Sequence, residues 1–222
     1  MTSSLPKCVV IGGGGHAAVL IDSIRCAGVA DPVAVLDPDA ALRGKTVMGV
    51  AVAGSDDRIA DMVNDGITLF CVGMGSIGAD AAAVRKRLFD NAHAAGLIPL
   101  SVIHPTAFVS KALVLGDGAT VLANATIAAR ATLGRNVIVN NGATAEHDCM
   151  IGDHAHIATG AVLAGNVTVG ALSHVGANAV VRQFVSIGER AMIGAGAVVI
   201  EDVPDGTTVI GNPARPAPAG QA

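Results

Sequence analysis

The chain has no tryptophan and no tyrosine, and its four phenylalanines are the only large carbocyclic rings among 222 residues. A core of this composition cannot lean on aromatic bulk. It has to be layered from Ala, Val, Ile and Leu in a narrow space. Charge is scarce too: Asp, Glu, Lys and Arg make up 14% of the chain, with a balance of −4. A net negative chain offers no electrostatic footprint for nucleic acid. No apolar run approaches the ~20 residues of a membrane span. Met1 to Lys7 lacks the basic and apolar regions of a signal peptide. The four cysteines, Cys8, Cys26, Cys71 and Cys149, show neither CxxC nor metal-ligand spacing. These absences predict a reduced, cytoplasmic protein with no metal, no nucleic-acid partner and no membrane span.

What the chain has instead is a six-residue register. From Ile103 to Val199 every sixth residue is Ile, Leu or Val, with Ala145 as the single exception in seventeen positions. Two places before each, from Ala107 to Ala197, stands Ala in ten repeats and otherwise Val, Leu, Cys or Ser. Cys149 is one of these small positions, so it reads as core. Glycine often follows the aliphatic residue, as at Gly116, Gly134, Gly152, Gly170 and Gly188. A helix of period 3.6 cannot keep such a stripe on one face, and a flat strand alternates in twos. A strict hexapeptide period predicts a parallel β-helix, three short strands and three corners per eighteen-residue coil. With coils ~4.8 Å apart, the prism is roughly 27 Å tall.

The first hundred residues follow another pattern. Buried strands are predicted at 5–11, 33–36, 47–52 and 67–72. Helices are predicted at 17–27, from a Ser55 or Asp56 cap to 64, and at 79–95. Alternating strands and helices imply a parallel sheet. The chain thus divides into an α/β Rossmann-like domain (1–102), a β-helix (103–203) and a C-terminal segment (204–222). Gly12-x-Gly14-x-x-Ala17 lies between a strand and a helix, where backbone N–H groups and the helix dipole can meet phosphate. Asp37, after the second strand, is placed to bond a ribose hydroxyl. A loop that merely turns tightly is the alternative. A single half-domain is too short for NAD, so a one-base nucleotide such as a sugar nucleotide fits better.

One coil carries chemistry. Within Asn140 to Cys149, His147 should project outward at a corner, flanked by Glu146 and Asp148. An imidazole held by a carboxylate is a general base, whereas a solvated surface histidine is the plainer reading. His154, His156 and His174 form a ladder further on, without a cysteine or carboxylate at ligand spacing, which argues against metal.

The hexapeptide repeat closed by Gly211-Asn212-Pro213-Ala214-Arg215 resembles the left-handed β-helix acyltransferases. From Val9 to Arg215 the chain resembles their sugar branch, the sialic acid O-acetyltransferase and nucleotide-4-aminosugar N-acetyltransferase family. Gly12-Gly13-Gly14-Gly15-His16-Ala17, Ile103-His104-Pro105, Val139 to Ala143 with Glu146-His147-Asp148-Cys149, and Ala164-Gly165-Asn166-Val167 carry the likeness. Left-handedness comes from this resemblance and departs from the usual right-handed crossover. The resemblance implies acetyl-CoA as donor, bound between β-helices of neighbouring subunits in a homotrimer. It makes His147 the base, with Asp148 as the acidic residue beside it. His156 becomes a second histidine near the thioester, and the Gly165 N–H the donor to the acetyl carbonyl. The acceptor nucleotide would lie at Gly14, Gly15, His16 and Asp37. Two loops that face the acceptor in the family depart from it here. Ala18 replaces a frequent Lys, and Gly75-Ser76-Ile77-Gly78 replaces Gly-Asn-Asn, with Arg85 further on.

The resulting expectation is acetyl transfer from acetyl-CoA to the amine of a nucleotide-linked amino sugar. The alternatives are O-acetylation of a sialic acid and a non-catalytic sugar-nucleotide-binding scaffold.

Overall fold

The computed structural model describes residues 5–218. The N-terminal domain runs β1 Lys7–Ile11, α1 Gly15–Ala27, β2 Asp31–Leu36, β3 Thr46–Val47, β4 Val50–Gly54, α2 Ile59–Asn64, β5 Leu69–Val72, α3 Ala79–Ala94 and β6 Ile98–Pro99. The sheet order is β3-β4-β2-β1-β5-β6, parallel except for the β3–β4 hairpin. β1 sits centrally, and its alternation splits the core. Cys8 and Val10 face α1. Val9 and Ile11 face α2 and α3. Period-two alternation on a sheet covered on both faces has this result.

The elements differ from the sequence expectation in local ways. The stretch expected as one strand at 47–52 is a hairpin, because Met48 and Gly49 both take positive φ (49° and 80°). That pairing is the two-residue turn matching strand twist. The expected cap at Ser55 or Asp56 is absent: a 3-10 turn, Asp56–Arg58, leads into α2, and Ser55 makes no side-chain cap bond. Helix α1 begins two residues early, at Gly15, with Gly14 as its N-cap.

The rest is a parallel β-helix of two-residue strands. Its first face has eight strands, beginning at Val102–Ile103. The second has six, from Phe108–Val109, and the third has five, from Val114–Leu115. Strands pair in register with the strand eighteen residues on, as Thr144↔Val162 and Ala145↔Leu163 show. The alternating Ala and aliphatic residues form one continuous buried core.

The corners explain the register's regularity. From Leu115 to Ile193 the backbone turns left-handed three residues after each inward residue of the six-residue series. Gly118, Gly142, Gly160 and Gly196 do so, and so do Asn124, Asn136, Asn166 and Asn178. Positive φ at the third position of a type II turn is open to glycine and tolerated by asparagine. Arg130, Asp148, His154, Leu172, Phe184 and Arg190 take the same conformation without that advantage.

After the last full coil, Thr208–Ile210 adds a strand to the first face, and Arg215–Pro216 folds back antiparallel on it. Part of the 204–222 segment, Pro216 included, is therefore built into the β-helix and covers its edge. Residues 219–222 lie outside the described residues.

The first face carries the N-terminal domain. Val102 points outward from the prism into the core formed by Leu20, Ile24 and Leu100. The prism edge between the second and third faces lies on the far side.

Candidate active site

That far edge holds His147. Thr144–Ala145 ends on the second face, the chain turns through Glu146 to Cys149, and Met150–Ile151 opens the third. Asp148 takes the left-handed position of this turn (φ 61°). The turn brings its Oδ2 to 2.8 Å from His147 Nδ1. The same carboxylate is gripped by Arg130, one coil earlier on the same edge, with Nε to Oδ1 at 2.6 Å and Nη2 to Oδ2 at 2.7 Å. The Arg130 hydrogen bonds first, and then that of His147, hold the Asp148 carboxyl well below the usual carboxylate range. An ionised carboxylate only accepts, so Nδ1 carries the ring proton and Nε2 presents its lone pair. Glu146 does not touch the ring; its Oε2 accepts the His147 backbone N–H at 3.3 Å. The expected pair of flanking carboxylates is thus one carboxylate and one backbone brace.

Gly165 stacks one coil further along the edge. A Cβ there would lie 2.5 Å from His147 Nε2 and 2.6 Å from Cε1, so only glycine leaves the ring its place. At the same turn position elsewhere a side chain takes the N–H in some cases, as Asn141 Oδ1 does for Ala123 at 3.2 Å and Asp153 Oδ1 for Arg135 at 2.8 Å, while at others, such as Ala129 and Ala171, none does among the described residues. The Gly165 N–H donates to no acceptor among the described residues. The imidazole lone pair and this free donor share one small surface.

The second constellation lies in the N-terminal domain, a cleft of ≈ 400 Å³ lined by Gly14, Gly15, His16, Asp37, Asp56, Met74, Gly75 and Arg87, among others. Gly14 caps α1 without a side-chain bond, and the N–H groups of Gly15 and His16, two residues that line the cleft, meet no acceptor among the described residues, as an anion site requires. Gly14 and Gly15 border open space, whereas Gly12 (φ +105°) is fixed by close approach to the Gly73 backbone. Asp37 is less free than the sequence suggested. Its Oδ2 accepts from the Gly13 N–H at 2.6 Å and its Oδ1 from the Asp39 N–H at 2.8 Å, so it braces the loop while lining the cleft.

His16 lines the cleft with its Nε2 buried and unpartnered. Burial, and then the Arg85 charge, lowers its pKa to about 4. His156 lies on the first face against the N-terminal domain. It is 5% exposed, with Nδ1 2.8 Å from the Ser76 carbonyl and Nε2 3.2 Å from Asn140 Nδ2. The carbonyl fixes Nδ1 as donor and leaves Nε2 to accept, and burial lowers the pKa to about 3. His174 packs edge-on against it at 4.9 Å.

Arg85 does not face the cleft, unlike the acceptor-facing role the resemblance attaches to its loop and helix. It is 1% exposed, with Nη1 donating to the His154 carbonyl at 3.2 Å and Nη2 to Asn136 Oδ1 at 2.8 Å. It pins α3 to the β-helix, and burial lowers its pKa to about 9. Arg87, two residues on, reaches the cleft in its place and pairs loosely with Asp56 at 3.5 Å.

Within one chain the two constellations stay apart. Among the described residues none of the β-helix lines the cleft, and His156 stands on the cleft's side of the prism rather than at the His147 edge. Arg130, Asp56 and Arg87 were not anticipated from the sequence. Arg130 alone left a signal, its eighteen-residue offset from Asp148.

Comparison with known proteins gives matching patterns. The PglD N-terminal domain matches residues 7–92, and the bacterial transferase hexapeptide matches 131–165 and 148–183. Perosamine N-acetyltransferase from Caulobacter crescentus, solved as a mutant with CoA and GDP-perosamine, is 34% identical. The match has a TM-score of 0.90 and covers 97% of this chain and 98% of that one. The acetyltransferase domain of PglB from Neisseria gonorrhoeae, solved with acetyl coenzyme A, is 35% identical. Its TM-score is 0.88, with 96% and 100% covered. WeeI from Acinetobacter baumannii is 25% identical, with a TM-score of 0.80 and 95% and 99% covered. No curated protein matches the chain by sequence.

Proposed function

The chain belongs to the nucleotide-aminosugar acyltransferases that join a PglD N-terminal domain to a left-handed hexapeptide β-helix, and from that premise we propose how its own residues divide the work. It is an acetyl-CoA-dependent N-acetyltransferase whose acceptor is the amine of a nucleotide-linked amino sugar. The observation that carries the assignment of the base is the His147 edge: an imidazole with a fixed tautomer beside a free backbone donor.

The sugar amine attacks the thioester carbonyl carbon, forming the C–N bond, and Nε2 of His147 takes the amine proton. The oxyanion of the tetrahedral intermediate is met by the Gly165 N–H, a preorganised donor in the sense of an oxyanion hole. Collapse breaks the C–S bond, and the imidazolium returns its proton to the thiolate, leaving CoA thiol and the amide. Asp148 keeps the ring oriented and stands beside the imidazolium that forms during turnover.

The acceptor nucleotide occupies the N-terminal cleft (domain 1–102), its phosphates at Gly14, Gly15 and the start of α1, with His16 and Asp37 beside it. Acetyl-CoA lies along the β-helix (103–203), and His156 faces it from the cleft's side. Because one chain holds cleft and base on opposite sides of the prism, the working unit is a homotrimer in which one subunit's cleft faces its neighbour's His147. Free cysteines among the described residues support a cytoplasmic reaction.

The test is to offer UDP-, GDP- and dTDP-linked amino sugars, and separately sialic acid, with acetyl-CoA and to follow thiol release. Turnover on at least one amino-sugar nucleotide is expected. Turnover on sialic acid alone would overturn the acceptor. Light scattering at micromolar concentration is expected to give a trimer mass; a monomer would overturn the shared site.

A further inference from the structure

We infer that Arg130 is a positioning residue for catalysis, acting on His147 through Asp148. The inference rests on the reading of His147 as the base and adds a member that this reading does not contain.

Three observations carry it. The first is geometry. Arg130 meets Asp148 with two nearly parallel bonds, Nε to Oδ1 at 2.6 Å and Nη2 to Oδ2 at 2.7 Å. That fork fixes the carboxylate plane as well as its position. The oxygen that takes the Nη2 proton, Oδ2, is the one that bonds His147 Nδ1 at 2.8 Å. Rotation of Asp148 about its side-chain bonds would break both contacts, so the guanidinium sets the direction in which the imidazole points.

The second is placement. Arg130, Asp148, Asn166 and Phe184 succeed one another at the left-handed position of the same edge. Arg130 holds φ 61° there, a conformation that asparagine and glycine take at less cost. The corner's backbone therefore gives no reason for an arginine.

The third is weak stability value. The Arg130 side chain is 67% exposed and Asp148 28%. An ion pair this open contributes little to folding. The bidentate grip on an open pair is explained by orientation of the ring rather than by support of the prism.

Catalysis and stability are thus separable at this position, and Arg130→Asn separates them. Asparagine suits the left-handed corner and removes the guanidinium. The expected result is an unchanged or raised melting temperature with a kcat lowered about tenfold, the equivalent of one charge-assisted contact. KM for acetyl-CoA and for the acceptor should stay within twofold. Arg130→Lys, which keeps the charge and loses the fork, should recover only part of kcat. In an Asp148→Asn background the same Arg130→Asn change should alter kcat by less than twofold, because its target is gone. A kcat within twofold of the parent for Arg130→Asn, or an equal loss in both backgrounds, overturns the proposal. His147→Ala run alongside keeps the two readings apart. If His147→Ala retains activity the base is misassigned, and if only Arg130→Asn does, the base stands and Arg130 has no part in it.

Discussion

Gly165 lies beneath the imidazole of His147 so closely that a Cβ at 165 would fall 2.5 Å from Nε2. Contacts that short cannot persist, so one of the two must move. The ring is the freer partner, because its side chain is 53% exposed and tied only to Asp148. Gly165→Ala should therefore swing the base off its line while the prism stays folded. A kcat loss of about 10²-fold or more is expected, the scale of a misplaced general base. The melting temperature should shift little. A kcat within threefold of the parent would show that the ring and Gly165 do not share one surface during turnover.

His147→Ala should lower kcat by roughly 10² to 10⁴. Acetyl-CoA affinity, measured by calorimetry, should change little because the imidazole works on the acceptor. Asp148→Asn should cost less, since the amide can still meet Nδ1 but no longer sets a negative charge beside the imidazolium formed during turnover. Equal losses for the two variants would mean that Asp148 does more than orient the imidazole and stand beside its charged form.

The β-helix was legible because its register is covalent in sequence: each sixth residue must face inward, and Ile127, Leu133 and Val139 do. His147, Asp148 and Gly165 follow from that register together with the family's motifs, since an outward corner and the position one coil on are fixed by counting. Arg130 was legible only in principle. An offset of eighteen marks a neighbour, but whether two side chains then join depends on rotamers that no period encodes. The burial of Arg85 and the grip of Ser76 on His156 arise where two domains meet, and neither domain's pattern contains the other. Asp37 shows the same limit at short range. Its position after β2 was readable, whereas its double bond to the Gly13 and Asp39 N–H groups depends on how the loop folds back.

Asp37→Ala carries a two-part expectation from that finding. A ribose contact alone predicts a raised acceptor KM and an unchanged acetyl-CoA KM. Loss of the loop brace adds a fall in stability of about 1–3 kcal/mol, the cost of leaving hydrogen-bonded groups unmet. Asp37→Asn keeps one acceptor oxygen and should restore part of the stability but less of the KM. An equal rise in both KM values would separate Asp37 from the acceptor altogether.

Acid should loosen the junction between the domains before it touches the prism. His16, His154, His156 and His174 all lie at this junction. Burial is the first cause lowering each of them, to about 4 for His16 and His154 and to about 3 for His156. The charged groups acting on them are Arg85, Lys86, Asp90 and Asp153, and the buried one, Arg85, has no carboxylate partner among the described residues. In the unfolded chain these histidines take up protons around their ordinary value of 6.5, while the folded chain refuses them until about pH 4 at His16 and His154 and about pH 3 at His156. The unfolded state therefore binds more protons across that window, and stability falls as pH drops. The contribution is whole above about pH 6.5 and is lost progressively between there and about pH 4 for His16 and His154, and about pH 3 for His156. Each excluded histidine gives a slope of up to about 1.4 kcal/mol per pH unit. Ordinary carboxylates titrate below this range, so the decline from pH 6.5 to pH 5 belongs to the histidines. Urea midpoints at pH 7.5, 6 and 5 should fall in order, and His156→Gln should flatten the decline by one histidine's share. Hydrogen exchange at pH 5 should rise first in α1 and α3, with the strands from Thr126 to Val181 still protected. A midpoint that does not move between pH 7.5 and pH 5, or exchange that rises first in the prism, would show that these histidines do not hold the two domains together.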